Sequence, residues 1–204
     1  DWLAAMKDQV MPASAALLVW DKRCQEIYFR YLDAMMEHRN HYTGLRYADD
    51  PSIAVYELVN EAWWTPRMLG GSDFATLAPA LVRPLLLQWN QWLKDRYQTT
   101  AVLRKAWGEL LPDESLEKSN ILLQPLQGSA AMDQMAGVLG INIKIDQDAK
   151  KAVPGNAQRS RDVVQFFIET HRAFKHKAIE RLRSHGKPNR GATVVPVVID
   201  TGAS

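Results

Sequence analysis

Apolar residues recur along this chain with two periods. Between Asp21 and about Glu37, Cys24, Ile27, Tyr28, Tyr31, Met35 and Met36 follow the three-and-four spacing of one buried helix face, and Asp21 suits the N-cap. "HRNHYTGLRYADDP" then carries Asn, Gly and Asp-Pro and reads as turns. Asp50, held extended by Pro51, leads into Ser52–Val59. That stretch is nearly continuously apolar, the signature of a strand buried on both faces. Its alternation sets Glu57, Val59 and Glu61 on one face and Tyr56, Leu58 and Asn60 on the other. Two neighbours such as Asn60 and Glu61 can then share one target only if a kink or bulge interrupts the strand.

A helical region is expected from about Phe74 to Tyr97, broken or kinked at Pro84. Thr100 can cap a short helix, "AVLRKAW", that stops at Gly108. Pro112 to about Arg159 is less regular, with "GVLGINIKID" as a short strand. Ser160 caps the longest helix, Arg161 to about His185, whose stripe is Val163, Phe167, His171, Phe174, Ala178 and Leu182. Asp162 suits its first turn, and Gly186 with Pro188 ends it. "ATVVPVVID" reads as a second buried strand. A strand returning through helices to another buried strand implies a parallel sheet of α/β type.

Composition narrows the picture. The chain has 204 residues, 47% of them hydrophobic, enough for one domain or part of a larger one. Its 25 basic and 23 acidic residues leave a net charge of +2, so no strong field draws it to nucleic acid or a membrane. No run of about 18 apolar residues suggests a membrane span. Cys24 is the single cysteine and reads as a buried thiol. The N-terminus "DWLAAMKDQV" has neither an initiator Met nor a signal-peptide pattern. It reads as a cut or processed end, compatible with a secreted or periplasmic protein.

Candidate chemistry concentrates where the first strand stops, at Asn60-Glu61 followed by Trp63 and Trp64. In parallel α/β folds, ligands bind at the C-terminal ends of strands. A carboxylic acid there, desolvated by aromatic rings, can serve as a general acid. Asn60 can hydrogen-bond a hydroxyl, and a Trp face can stack on a sugar ring. The structural alternative is that Asn60 caps a following helix, Glu61 favours its dipole and the tryptophans pack.

These residues carry a resemblance. "NHYTGLRYADDPSIAVYELVNEAWW" is similar to a segment of retaining clan A glycoside hydrolases, nearest the family 5 type of cellulases and mannanases. "WNQWLKDRYQTTAVLRKAW" and "DVVQFFIETHRAFKHKAIERLRSHG" resemble the helices that follow, and "VVPVVID" the next strand. The resemblance implies part of an eight-stranded (β/α) TIM barrel, from about strand four to strand five, over residues 1–204. It implies retaining cleavage of a β-glycosidic bond in a glucan, mannan or related glycoside. Glu61 would be the acid/base, Asn60 the amide on the sugar 2-hydroxyl, and Trp63 and Trp64 the lining of a sugar subsite. The nucleophile would come from outside this segment, since such barrels usually need about 250 residues. The remainder of the barrel would then be a further segment or partner chain. Asp200 is the stand-in carboxylate that the segment itself offers. His41 stands where Pro is commoner in that family, and Ala62 where Asn or Pro is more usual. Glu57 would face a barrel interior.

Other signals are weaker. His38 and His41 in "HRNH" lack the further ligands a metal needs. "KHKAIERLRSHGKPNR" reads as a solvated helix end. No Gly-rich phosphate loop or Ser-His-Asp context appears, so no cofactor is expected. The alternative to an enzyme is a non-catalytic carbohydrate-binding or interaction module.

Overall fold

A computed structural model describes residues 17–59, 77–123, 137–138, 157–186 and 197–200. Among the described residues four α-helices dominate: α1 Lys22–Glu37, α2 Pro79–Tyr97, α3 Thr100–Trp107 and α4 Ala157–Ser184. The strands are short, β1 Val55–Val59 and β2 Val197–Asp200, and they pair in parallel. The chain forms two compact units. Unit 1 comprises Asp1–Asp21 and Trp64–Thr170; unit 2 comprises Lys22–Trp63 and His171–Ser204. The α4 sequence contributes to both.

This overturns the expected fold class. The described residues are mostly helical and do not form a portion of a TIM barrel. Unit 1 holds no strand among its described residues. The misreading has a local cause at β1. Tyr56 is half-buried and Leu58 buried, but Val55 and Glu57 are exposed. The strand therefore covers a core with one face only, as a two-stranded ribbon packed on helices does. Glu57 faces outward, not into a barrel interior.

Unit 1 is built on α2. Leu81, Val82, Leu85, Leu86, Trp89 and Leu93 follow one stripe and are all buried. The helix begins at Pro79 and runs unbroken past Pro84. A proline inside a helix costs about 3 kcal/mol. Six buried apolar side chains at about 1.5–3 kcal/mol each outweigh it. Trp89 stacks on Trp92 at 5.5 Å and on Trp107 at 6.2 Å, with the Phe166 edge 5.2 Å from Trp89. These tryptophans are helix-packing residues. Helix α3 is capped not by the expected Thr100 but by Thr99, one residue earlier; the Thr99 side chain accepts from the Val102 amide. It stops at Gly108, where φ is +82°.

The irregular stretch after α3 is held by buried polar side chains. Asn90 donates to the carbonyls of Leu86 and Ile121 and accepts from the Ile121 amide. Glu114 accepts from the Leu122 amide and from both terminal nitrogens of Arg159, at 3.0 and 2.7 Å. Arg159 also donates to the Leu122 carbonyl and lies over the Trp107 ring. Asp162 is buried here, with α4 starting at Ala157 and not at Arg161. It accepts from Tyr97, Trp107 and Gln158, and so satisfies core donors instead of a helix N-terminus.

Unit 2 packs α1 and the C-terminal part of α4 around β1. Leu32, Met36, Leu58, Ala178 and Leu182 are its buried cluster, with Tyr28, Phe29, Met35 and Tyr56 against it. The buried stripe of α1 is rotated from the expected one. Cys24, Gln25, Leu32 and Met36 are buried, and Ile27 and Tyr31 are exposed. In the turn after α1, Asn40 Oδ1 accepts from the Tyr42 amide, and Gly44 sits at φ +69°. That left-handed backbone favours glycine.

Candidate functional site

The predicted site begins where β1 ends. Asn60, Glu61, Trp63 and Trp64 lie outside the described residues, as does the expected strand in "GVLGINIKID". The approach to Asn60-Glu61 is described, and its backbone is irregular. Val55, Tyr56 and Glu57 pair in sequence with Val197, Val198 and Ile199. The next partner of β2, Asp200, is in register with Val59, so the pairing skips Leu58. Two residues of β1 are thus spent on one step of β2, a bulge-like irregularity within the strand.

Parallel pairing brings the C-terminal ends of β1 and β2 to the same edge. Asn60-Glu61 follows one strand directly in sequence, and Asp200 closes the other.

Two tyrosines tie β1 to its surroundings. The Tyr28 hydroxyl donates to the Leu58 carbonyl at 2.7 Å, and the Tyr56 hydroxyl donates to the Tyr47 carbonyl. The Tyr28 ring packs against Phe29 at 6.0 Å and Phe174 at 5.6 Å, which also stack on each other. Burial, aided by neighbouring Tyr31, pushes the Tyr28 hydroxyl up to about 12. Burial first, then Asp50 and Asp49, also raises Tyr56. Both phenols thus stay protonated and remain donors.

A charged cluster lies elsewhere in unit 2. His185 directs Nε2 to Asp33 Oδ1 at 2.8 Å and Nδ1 to Glu37 Oε1 at 2.9 Å. Arg181 pairs with Asp33, and Arg46 bridges Glu37 and Asp49. Burial pulls the His185 imidazole down, but its bonds to Asp33 and Glu37 and their charge outweigh this and raise it above 6.5. The Arg181 hydrogen bond holds Asp33 down to about 2. The basic run ending α4 is therefore partly neutralised by acids of α1.

Sequence reasoning missed these ties. Tyr28 counted only as an apolar stripe position, and its partner lies 30 residues away. The 148 positions between Asp33 and Arg181 likewise leave no local signal.

Among the described residues no group of three or more His, Cys, Asp and Glu could hold a metal ion. No helix among them is long and apolar enough to cross a membrane. The chain matches no protein-family model, no curated protein and no solved structure.

Proposed function

We propose that this chain carries the acid/base of a retaining β-glycosidase acting on a glucan, mannan or related glycoside. The single observation that carries the reading is the stretch "NHYTGLRYADDPSIAVYELVNEAWW", in which Asn60-Glu61 follows β1 directly in sequence. Its similarity to retaining glycosidases supplies the chemistry.

In that chemistry a carboxylate nucleophile, contributed by sequence beyond this segment, attacks the anomeric carbon. Glu61 gives its proton to the departing glycosidic oxygen as the C–O bond breaks. In the second step Glu61, now a carboxylate, takes a proton from water as the water oxygen displaces the nucleophile from the same carbon. Asn60 donates to the sugar 2-hydroxyl throughout. Trp63 and Trp64 offer apolar faces to the ring.

The test is the anomer first released when the intact protein hydrolyses a β-linked oligosaccharide, read by proton NMR before mutarotation. Net retention, with the β-anomer first, is expected. Release of the α-anomer would overturn the double displacement.

A second reading, a sugar-binding or interaction module without turnover, is favoured by the helical character of the described residues. It predicts binding of the oligosaccharide with no hydrolysis, abolished by Trp63→Ala or Trp64→Ala.

A further inference from the structure

Four oxidisable rings of unit 1 lie in one continuous series. Trp92 stacks on Trp89 at 5.5 Å with 13° between their planes, and Trp89 on Trp107 at 6.2 Å with 20°. The Tyr97 ring meets Trp107 at 6.4 Å. Trp89 and Trp107 are sealed in the core, whereas Trp92 and Tyr97, at the two ends of the series, are partly open to solvent. Apolar burial explains the stacking. It does not explain the polar arrangement at the Tyr97 end. One oxygen, Asp162 Oδ2, accepts from both the Tyr97 hydroxyl and, at 2.7 Å, Trp107 Nε1. Asp162 is buried, and Gln158 donates to its other oxygen.

Loss of an electron makes an indole N–H or a phenol O–H strongly acidic, so oxidation is eased where a base already holds the proton. Asp162 is that base for both rings. Burial first, then Asp162, raises the Tyr97 phenol above its ordinary value, so its proton is still in place when the electron leaves. The Arg159 guanidinium lies 4.7 Å from the centre of the Trp107 ring and disfavours positive charge on that indole.

We infer that Trp92, Trp89 and Trp107 conduct a one-electron oxidising equivalent out of the unit 1 core to Tyr97, with Asp162 as the proton acceptor. A radical oxidant takes one electron from Trp92. Electrons then pass from Trp89 to Trp92 and from Trp107 to Trp89, which leaves Trp107 one electron short. Its Nε1 proton moves to Asp162 Oδ2. Tyr97 next gives an electron to Trp107; the proton on Asp162 returns to Nε1, and the phenol proton takes its place on Asp162. The three tryptophans are restored, the oxidant has gained one electron, and Tyr97 is a neutral phenoxyl radical beside a protonated Asp162. Damage is thereby moved from sealed indoles to a ring that solutes can reach. This role is independent of the glycosidase reading.

Pulse radiolysis of the intact protein with the azide radical, which oxidises tryptophan in preference to tyrosine, reads the indolyl and phenoxyl absorption bands directly. The expected result is indolyl decay matched by phenoxyl growth, at a first-order rate independent of protein concentration. Tyr97→Phe keeps the ring and should remove most of the phenoxyl formed in that phase. Asp162→Asn keeps an acceptor oxygen but loses the base, and should slow the phase at least roughly tenfold. Tyr42→Phe, on the exposed turn of unit 2, should change nothing. Phenoxyl growth in Tyr97→Phe at the unaltered rate and amplitude would overturn the inference. So would an unaltered protein whose indolyl radical decays only by concentration-dependent encounter. Should Asp162→Asn fail to fold, deuterated water takes its place with the unaltered protein: the first-order phase should slow, and an unchanged rate would overturn the proton transfer to Asp162.

Discussion

In unit 1 one charged pair is sealed: Arg159 and Glu114 are 1% and 0% exposed, and Arg159 also reaches the Leu122 carbonyl. In unit 2 the charged pairs of α1 and α4 sit at a rim, where Arg181 is half-exposed and Glu37 equally so. The residue types are the same, but their energetic meaning differs. A sealed ion pair has no solvent to replace a lost partner, so removing one member strands the other. A rim pair trades one partner for water and salt at little loss. Unit 1 thus depends on its polar groups. Unit 2 depends on the apolar cluster under β1 and uses its charges to tune.

Mutation should separate the two. The largest effect is expected from Glu114→Ala, which leaves Arg159 buried without its carboxylate and frees the Leu122 amide. A loss of about 3–5 kcal/mol in chemical denaturation is expected. A loss below 1 kcal/mol would show that water reaches Arg159 and would erase the contrast. Next comes Leu182→Ala in the unit 2 cluster, where a cavity should cost about 2–4 kcal/mol. Arg181→Ala should be nearly silent in the same assay, because its pair with Asp33 is a rim contact. A deficit as large as that of Glu114→Ala would mean the rim carries unit 2.

The smallest effect is the most specific. Both His185 nitrogens face carboxylates, which only the imidazolium can satisfy. Its folded pKa lies above the unfolded value of 6.5. The stabilisation is therefore full below about 6.5 and disappears as pH rises through the raised folded value. His171 works the other way. Burial, helped by Lys175, lowers it from 6.5 to about 4. Its contribution is present above about 6.5 and is lost as pH falls towards 4. Melting temperature against pH should peak near 6.5. His185→Gln should flatten the alkaline flank alone, by a degree or two once solvent screening is allowed for. A flank unchanged in that variant would contradict the pairing of His185 with Asp33 and Glu37.

The helices were largely legible because each has a local cause. The stripes of α2 and α4 and the Gly108 stop lie within a few residues of what they determine. Two misjudged features came from neighbours that local patterns do not see. Pro84 reads as a break until six buried side chains of its own helix are weighed against it. Ser52–Val59 reads as buried on both faces because Val55 is apolar, although the chain leaves Val55 exposed. That error fed the barrel. The register break at Leu58 left no local signal, because the partners of that stretch lie 30 residues before and about 140 residues after.

The most direct measurement is hydrolysis of an unactivated β-linked oligosaccharide by the intact protein and by its Glu61→Gln variant, at equal folded concentration. Glutamine keeps the shape of the side chain and cannot give or take the proton. The expected result is a fall in kcat/KM of roughly a hundredfold to ten-thousandfold, with oligosaccharide binding retained. Full activity in Glu61→Gln would contradict the assignment of Glu61 as the acid/base.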